Sequence, residues 1–511
     1  MKHVIFFLMA VAASGQRFYA DDPLDREPAP RNVEKALNRK LSDYYDLLSH
    51  QFGHLGEPQP KSGPPIRAQA VNTLGEPMDG AWFNKRHYYR RMTLEELKRG
   101  PGDSSAPAGS QWTVIGAKSE GVTPGFTILD GAKRRYFIKF DPLTNPEMAT
   151  AADSISARFF YALGYHVPQN YIVYFTPEQL VLGDDVQLAD ATGKKRRMTS
   201  RDIYEILVKV PRTKDGRYRA TASLAVEGKP IGPPRYDGTR KDDPNDIVPH
   251  EHRRDLRGLH VFSAWLAHDD SRAINNFDSL VQENGRQYIR HYLLDFGSTL
   301  GSGSQRANSP RSGAYYFTWK SAATQLFTLG LVPPYWARAH YGHYPAIGLF
   351  EGDAFDPELW VPEYPNPAFL NRLPDDEFWA AKQVMAFTDE EIRAVVSTGE
   401  ISDREAETFL VECLIKRRDK IGKTYFAKVL PFDRFRLQAG TVTWDDLSHS
   451  VADTRVAWFS FNNMTGERTP LPAMPASGYG SAEILAPSRP NQTIVVYTQS
   501  GRIAGIDRNW Q

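Results

Sequence analysis

The chain has 511 residues, with 62 Lys and Arg against 61 Asp and Glu and a formal net charge of +1. This length and a hydrophobic fraction of 41% predict two or three globular domains with buried cores, and the balanced charge argues against a general nucleic-acid binder. Cys413 is the single cysteine, which excludes an intrachain disulfide and a cysteine metal cluster.

The N-terminus has the pattern of a secretory signal peptide. Lys2 precedes an apolar run over residues 4–13, and small residues follow at positions 13–15. The run is too short to span a bilayer, and no later stretch is long and apolar enough. We therefore expect residues 1–15 to be removed near Gln16 and the mature protein to be exported, periplasmic or extracellular, without a transmembrane segment. An uncleaved N-terminal strand or anchor is the alternative.

Residues 16–110 alternate proline-rich polar stretches with two helical patterns. The first covers residues 33–52 and is amphipathic. The second, TLEELKRG, places Thr93 and Glu96 in the relation of a capping box and ends at Gly100. The pattern predicts an N-terminal arm with two helices, and we assign no chemistry to it.

From residue 111 the pattern becomes β. The segments WTVIGAK, GFTILD and RRYFIKF are separated by turn residues, and they predict an antiparallel sheet. Lys139 lies in the third strand between two apolar residues, a position where a lysine usually points to solvent. Residues Gly121 and Gly125 bound a tight turn whose backbone amides could hold a phosphate; an ordinary hairpin turn is the alternative.

Residues 145–164 predict a helix. The run has a proline at its second position, is rich in alanine, carries large apolar residues on one face and ends at Gly164. Two acids in it are candidate partners for the strand lysine: Asp153 within the helix and Glu147 in its first turn.

Residues 253–304 contain the densest group of chemically active side chains. A helical pattern over 255–268 is followed by His268, Asp269 and Asp270; Asn275 and Asn276 lie in the next loop; and a hairpin then ends at Asp295. An Asp on a loop, an Asn about five residues later and an Asp at the end of a hairpin can converge. Together they offer oxygens to one or two hard cations and a base to a nucleophile.

This order resembles the catalytic and metal-binding loops of the protein-kinase-like superfamily. The matching residues are Asp270 with Asn275, and the triplet that begins at Asp295. The stretch from YFIKFDP to GYHVPQNYIV further resembles HipA-type kinases. The resemblance implies an α+β, bilobal fold with a β-rich N-lobe at 111–228 and a helical C-lobe at 229–435.

The resemblance also implies roles for individual residues. Lys139 would bind the phosphates of ATP or another nucleotide, and Asp153 would orient it. Asp270 would be the catalytic base or positioning acid, and Asn275 and Asp295 would hold Mg²⁺ or Mn²⁺.

The sequence departs from the family pattern at three points. The loop reads HDDSRAINN, so Asp269 could replace Asp270 and Asn276 could replace Asn275. The turn from Gly121 to Gly125 is not the usual glycine-rich pattern. Asp153 is shorter than the usual Glu.

The last part of the chain, residues 440–511, returns to a β pattern and predicts a small sandwich-like appendage. It would support the helical lobe or contact a partner. The histidines at positions 250, 252, 260 and 268 lack the spacing of a zinc site and are predicted to be structural.

The leading functional hypothesis is an exported, metal- and ATP-dependent transferase. It would transfer a phosphoryl group to the hydroxyl of an unknown protein or small molecule. A non-catalytic pseudokinase scaffold that binds a surface partner is the second hypothesis. A metal-dependent hydrolase that uses His268, Asp269 and Asp270 is the third.

Overall fold

The computed structural model describes residues 15–53, 58–103, 106–118, 124–189, 195–315 and 319–510. The predicted signal peptide therefore lies outside the described residues except for Gly15. The chain divides into two compact units. The smaller contains the described residues before Arg26 together with Val71–Glu76 and Phe426–Gln511, and the larger contains Arg26–Ala70 and Pro77–Tyr425. Within the described ranges, no helix is long and apolar enough to cross a membrane.

Helices and strands are mixed throughout the larger unit, which confirms the predicted α+β class. Its helices are α1 (Asp43–Phe52), α2 (Leu94–Arg99), α3 (Met148–Ala162), α4 (Ser200–Leu207), α5 (Arg254–Leu266), α6 (Trp319–Phe327), α7 (Pro367–Leu370), α8 (Pro374–Met385), α9 (Asp389–Val396) and α10 (Arg404–Tyr425). Its strands are β1 (Trp112–Lys118), β2 (Gly125–Leu129), β3 (Arg135–Lys139), β4 (Asn170–Phe175), β5 (Leu180–Leu182), β6 (Gln187–Ala189), β7 (Lys195–Arg197), β8 (Tyr218–Leu224), β9 (Lys229–Pro230), β10 (Asn276–Glu283) and β11 (Arg286–Leu293).

A six-stranded sheet in the order β4-β8-β3-β2-β1-β5 carries Lys139. The predicted antiparallel pairing of β1, β2 and β3 is confirmed, with Gly125 opposite Lys139. Tyr136 and Ile138 point into the apolar core on one face of the sheet. Because successive side chains of a strand alternate between faces, Lys139 projects from the opposite face.

The predicted helix over residues 33–52 is wrong in its first half, since α1 begins only at Asp43. Val33 is buried in a small cluster with Ile231, Leu280 and Ile289. Its backbone N–H donates to the carbonyl of Gln287 at 2.7 Å. Apolar burial and hydrogen bonds to other segments thus outweigh the local helical pattern here. The second predicted helix is confirmed as α2, with the Thr93 and Glu96 capping box formed.

Helices α5, α8 and α10 pack against one another in the larger unit. Strands β10 and β11 follow α5 along the chain and form the predicted hairpin. They pair with β9, which precedes α5, in a three-stranded sheet of order β11-β10-β9. The loop between α5 and β10 contains Asp269 and Asp270, and the residue pair after β11 ends at Asp295. The C-terminal end of α5 and the C-terminal end of the hairpin thus carry the candidate acids.

The smaller unit is β-rich, as the sequence predicts. It contains β12 (Phe432–Gln438), β13 (Thr441–Asp446), β14 (Arg455–Phe461), β15 (Arg468–Leu471), β16 (Tyr479–Leu485), β17 (Thr493–Gln499) and β18 (Arg502–Asn509). The first two form a hairpin, and the others form a five-stranded antiparallel sheet in the order β15-β14-β16-β17-β18. The hairpin and the sheet share one apolar core.

The contact between α5 and α8 yields a stability prediction. A Cβ on Gly258 would lie 2.4 Å from the ring of Trp379, which is 1% exposed. We expect Gly258→Ala to lower the free energy of unfolding by about 1–3 kcal/mol, because a buried indole cannot move aside and overpacking exceeds the gain in helix propensity. Urea or thermal unfolding of the variant and the wild type measures this loss of stability.

The matched control is Gly422→Ala in α10. There the new Cβ would meet the sulfur of Met385 at 2.4 Å, and a flexible thioether side chain can shift. The control should lose clearly less stability. Equal losses in the two variants would contradict the proposed rigidity of the α5–α8 contact.

Candidate functional site

The ammonium of Lys139 lies between two carboxylates that come from different elements. Its Nζ is 2.9 Å from Oδ1 of Asp295, which follows β11, and 3.9 Å from Oδ2 of Asp153, in α3. The side chain of Asp153 is 3% exposed, whereas those of Lys139 and Asp295 are 36% and 48% exposed. The site therefore has one buried acid and one acid open to a ligand.

The electrostatics favour a charged lysine. Burial disfavours the ammonium, but Asp153 and Asp295 together raise the pKa of Lys139 above its usual value. Burial also raises the pKa of Asp153, and Lys139 opposes that effect. Within the described residues, neither carboxylate oxygen of Asp153 has a hydrogen-bond partner. The lysine is thus the ionic partner that this buried acid requires.

A small open cavity of about 260 Å³, including the space at its mouth, lies at this ion pair. Its lining includes the three charged residues and the polar side chains of Thr150, Thr221 and Ser304, together with Gly297. The Lys139 ammonium suits a ligand that carries anionic oxygens, and the open Asp295 carboxylate suits a cation bound to such a ligand. The hydroxyl groups of Thr150, Thr221 and Ser304 are already hydrogen-bonded within the protein.

The backbone of Asp295 is left-handed, with φ 58° and ψ 55°. This conformation is uncommon for residues other than Gly, although Asp and Asn tolerate it best. Next to it, Phe296 is fully buried and stacks on Phe160 with ring centroids 5.0 Å apart. The ring of His268 lies 6.0 Å from Phe296. The aromatic stack thus anchors the residue that follows Asp295, while the carboxylate contacts Lys139.

The loop between α5 and β10 supplies Asp270. Its carboxylate forms an ion pair with Arg272, and the Asn275 amide donates from Nδ2 to the Asp270 carbonyl at 2.8 Å. Burial raises the pKa of Asp270, Arg272 opposes the shift, and nearby Asp295 adds to it. The backbone N–H of Leu294 donates to the carbonyl of Asn275 at 3.1 Å. The loop and the end of the hairpin are therefore adjacent.

Asp269 has different neighbours from Asp270. Its Oδ2 accepts hydrogen bonds from Nδ2 of Asn308 at 2.8 Å and from Oγ of Ser312 at 2.7 Å. The residue is 2% exposed, and burial raises the pKa of its carboxyl to about 6. Asp269 thus anchors the segment that follows the Asp295 triplet. Like Asp270 and Asn275, it is not part of the lining of the cavity at Lys139.

Asn276 and Glu147 have hydrogen-bond partners outside the cavity at Lys139. Asn276 is 6% exposed, and its Nδ2 donates to the Tyr236 hydroxyl at 2.9 Å and to the Arg272 carbonyl at 2.8 Å. Glu147 accepts from the backbone N–H of Ser402 at 2.8 Å. Asn275, by contrast, contacts Asp270, and Asp153 faces Lys139.

One of the two glycines of the predicted phosphate turn, Gly121, lies outside the described residues. Gly125 opens β2 opposite Lys139, and a Cβ there would lie 2.4 Å from the carbonyl of Ile138. A glycine is therefore required at position 125 by the close approach of β3.

The histidines have structural surroundings. Burial lowers the pKa of His268 to about 4, and its ring packs on Phe160 and Phe296. His260 contacts the carbonyl of Trp360, and His250 pairs with Asp246. Among the residues that the structure describes, no group of three or more His, Cys, Asp or Glu could hold a metal ion. A histidine-based hydrolase site receives no support from these contacts.

The donor set at Asp295 nevertheless fits a nucleotide-bound cation. Mg²⁺ in proteins is often held by only one or two carboxylates, with phosphate oxygens and water completing its shell. Asp295 offers a half-exposed carboxylate, and the partly exposed Asn275 offers an amide oxygen from the adjacent loop. Both are hard oxygen donors.

Sequence reasoning missed Arg272 and the hydroxyl groups of Thr150, Thr221 and Ser304. Arg272 could have been noticed, because an arginine two residues after a candidate base is a natural ion-pair partner. The three hydroxyl groups carry no such signal, since they come from separate elements.

No family model matches the chain, and no curated protein matches it. Among solved structures, a Helicobacter pylori proinflammatory kinase, CtkA, is 10% identical with a TM-score of 0.32, and the match covers 61% of this chain and 92% of that one. The Golgi casein kinase with Mn/ADP bound is 9% identical with a TM-score of 0.28, and the match covers 66% of this chain and 77% of that one. A hydra Fam20 with sugar is 9% identical with a TM-score of 0.30, and the match covers 66% of this chain and 96% of that one.

The chain therefore has structural neighbours among kinases. At these identities and TM-scores the likeness carries no conclusion about the site, whose chemistry is judged from its own contacts. The finer resemblance to HipA-type kinases stays a prediction.

The raised pKa of Asp269 yields a prediction about pH. A carboxyl that keeps its proton to about pH 6 in the folded protein, but releases it near pH 4 when unfolded, destabilises the fold once ionised. The contribution of Asp269 to the free energy of unfolding should therefore fall as the pH rises from about 4 to 6, by up to about 3 kcal/mol. Asp269→Asn should remove this contribution, so that the variant gains stability relative to the wild type over that range.

Urea unfolding at several pH values checks this expectation. Asp353→Asn, at a position that is 80% exposed, serves as the control and should leave the wild-type profile unchanged. Parallel profiles for Asp269→Asn and the wild type would refute the assignment.

Proposed function

We propose that this chain is a nucleotide- and metal-dependent phosphotransferase of the kinase-like type. One observation carries the proposal: Lys139 is held between a buried and an open carboxylate, beside a loop that presents Asp270. Phosphoryl transfer requires little covalent chemistry from the protein, and it depends on positioning and charge stabilisation. A preorganised cation next to an open acid meets that requirement.

Each residue has a defined task in this proposal. Lys139 binds phosphate oxygens of the nucleotide, and Asp153 fixes the direction of its ammonium. Asp295 and Asn275 hold Mg²⁺ or Mn²⁺, which would neutralise charge on the phosphates when bound. Asp270 orients the acceptor hydroxyl or takes its proton, and Arg272 keeps the Asp270 carboxylate ionised and directed.

The acceptor and the cellular location are also part of the proposal. We propose a protein or small-molecule hydroxyl as the acceptor and, from the pattern of residues 1–15, export of the mature protein. ATP is the first nucleotide to test, but an exported enzyme could use another one.

Calorimetric titration tests the nucleotide site. We expect ATP to bind the wild type in the presence of Mg²⁺ or Mn²⁺, and we expect Asp295→Asn to weaken that binding by about tenfold or more, because a charge-assisted contact to the cation is lost. Asp353→Asn, another exposed aspartate, should bind as the wild type does. A wild type that binds no nucleotide, or an Asp295→Asn variant that binds equally well, would refute the site.

A second experiment separates catalysis from binding. Asp270→Asn should keep metal-dependent nucleotide binding but lower the release of the terminal phosphate and autophosphorylation by about 10²–10⁴-fold, as expected for loss of a general base. Phosphate release and mass spectrometry of the protein are the measurements.

The alternative function is a non-catalytic scaffold. It is favoured by the turn at Gly121 to Gly125, which departs from the glycine-rich phosphate loop. Nucleotide binding with no phosphate release by the wild type, and no difference in Asp270→Asn, would establish the scaffold and exclude the transferase.

A further inference from the structure

The larger unit has a second unusual surface, which takes no part in the cavity at Lys139. Five large apolar side chains lie exposed within seven residues at the end of α6 and just after it. They are Leu326 (70% exposed), Phe327 (84%), Leu329 (87%), Leu331 (84%) and Val332 (48%). Single exposed apolar residues are ordinary on protein surfaces, but a contiguous group marks an interaction site. We call residues 326–332 the apolar segment.

The sequence around the apolar segment carries no negative charge. Residues 296–350 contain no Asp or Glu, although 61 of the 511 residues of the chain are acidic. The same stretch contains four basic residues: Arg306, Arg311, Lys320 and Arg338. The three arginines among them are exposed. An anionic partner would meet no repelling carboxylate within this stretch. The acid that the structure places beside it is Glu351, which is 9% exposed and lines a cavity with Trp336 and Tyr341.

The shape of the apolar segment favours a lipid surface over a peptide ligand. Side chains that are more than four-fifths exposed have little protein around them, so they project outward and do not line a groove. The cavity lined by Trp336 and Tyr341, a short distance along the chain, has none of the five residues in its wall. Peptide recognition needs a groove or a free strand edge. A bilayer interface instead accepts projecting Leu and Phe side chains while basic residues meet the headgroups.

A comparison within the chain supports the role of charge. Helix α1 also exposes large side chains, namely Tyr44 (67%), Tyr45 (72%) and Phe52 (65%). The sequence of this helix, DYYDLLSHQF, contains two acidic residues among its first four. Exposed apolar side chains and a local absence of acids occur together at the apolar segment and not at α1.

We propose that the apolar segment, with Arg311 and Arg338 near it in the sequence, binds the surface of anionic lipid bilayers. Phe327, Leu329 and Leu331 enter the boundary between headgroups and acyl chains, and the arginines contact lipid phosphates and carboxylates. This binding is peripheral, because α6 has only 9 residues and cannot span a bilayer. It does not depend on the proposed nucleotide site.

Vesicle sedimentation with the purified full chain, without nucleotide, tests the proposal. The vesicles are phosphatidylcholine alone and phosphatidylcholine with roughly one third phosphatidylserine. We expect binding to the anionic vesicles and about tenfold weaker binding to the neutral ones. Phe327→Glu and Leu329→Glu together should lower the affinity by about tenfold or more. Arg338→Glu should lower it several-fold and reduce its dependence on salt.

Ile247→Glu is the matched control, because Ile247 is 78% exposed in the same unit but outside the stretch without acids. It should bind as the wild type does, and circular dichroism should show that all variants are folded. No binding of the wild type to either vesicle, or an equal loss in Ile247→Glu, would overturn the proposal. Self-association that the Phe327 and Leu329 substitutions abolish, without vesicle binding, would assign the segment to a second copy of the chain and also overturn it.

Discussion

The ammonium of Lys139 is the charge on which the candidate site depends. Asp153 is buried and has no hydrogen-bond partner within the described part of the chain, so its carboxylate requires the lysine as a nearby cation. Asp295 binds the same ammonium from the open side. Since β3, α3 and the end of the β10–β11 hairpin each supply one of the three charges, a shift of any one element separates the group. The chemistry of the site therefore depends on how these three elements pack.

Helix α3 contributes to the position of both other charges of the site. It carries Asp153 and, seven residues later, Phe160, which is close to two helical turns and so places both side chains on one face. Asp153 faces Lys139, and Phe160 stacks on Phe296, the neighbour of Asp295. One rigid element thus positions the lysine directly and the open carboxylate indirectly. The left-handed backbone of Asp295 lets the carboxylate point to Lys139 while Phe296 points to the aromatic stack.

Much of the fold follows from local sequence patterns, and the choice between neighbouring polar residues does not. The alternation in β1 to β3, the capped α2, the alanine-rich α3 and the hairpin of β10 and β11 all carry short-range signals. Residues 33–42 form no helix, because Val33 packs against residues more than 190 positions away in the sequence. The sequence favours Asp270 over Asp269 only by its spacing to Asn275. Their tertiary contacts differ clearly: Asn308 and Ser312 contact Asp269, and Arg272 contacts Asp270.

The neighbouring residues Asn275 and Asn276 also differ in their tertiary surroundings. Asn276 begins β10 with its side chain inside, where Nδ2 is held by Tyr236 and by the backbone of the loop. Asn275 precedes the strand, is partly exposed and donates through Nδ2 to the carbonyl of Asp270. An amide that donates through nitrogen keeps its carbonyl oxygen as an acceptor, and hard cations bind such oxygens. Both asparagines donate through Nδ2, so partial exposure is what distinguishes Asn275 from the buried Asn276.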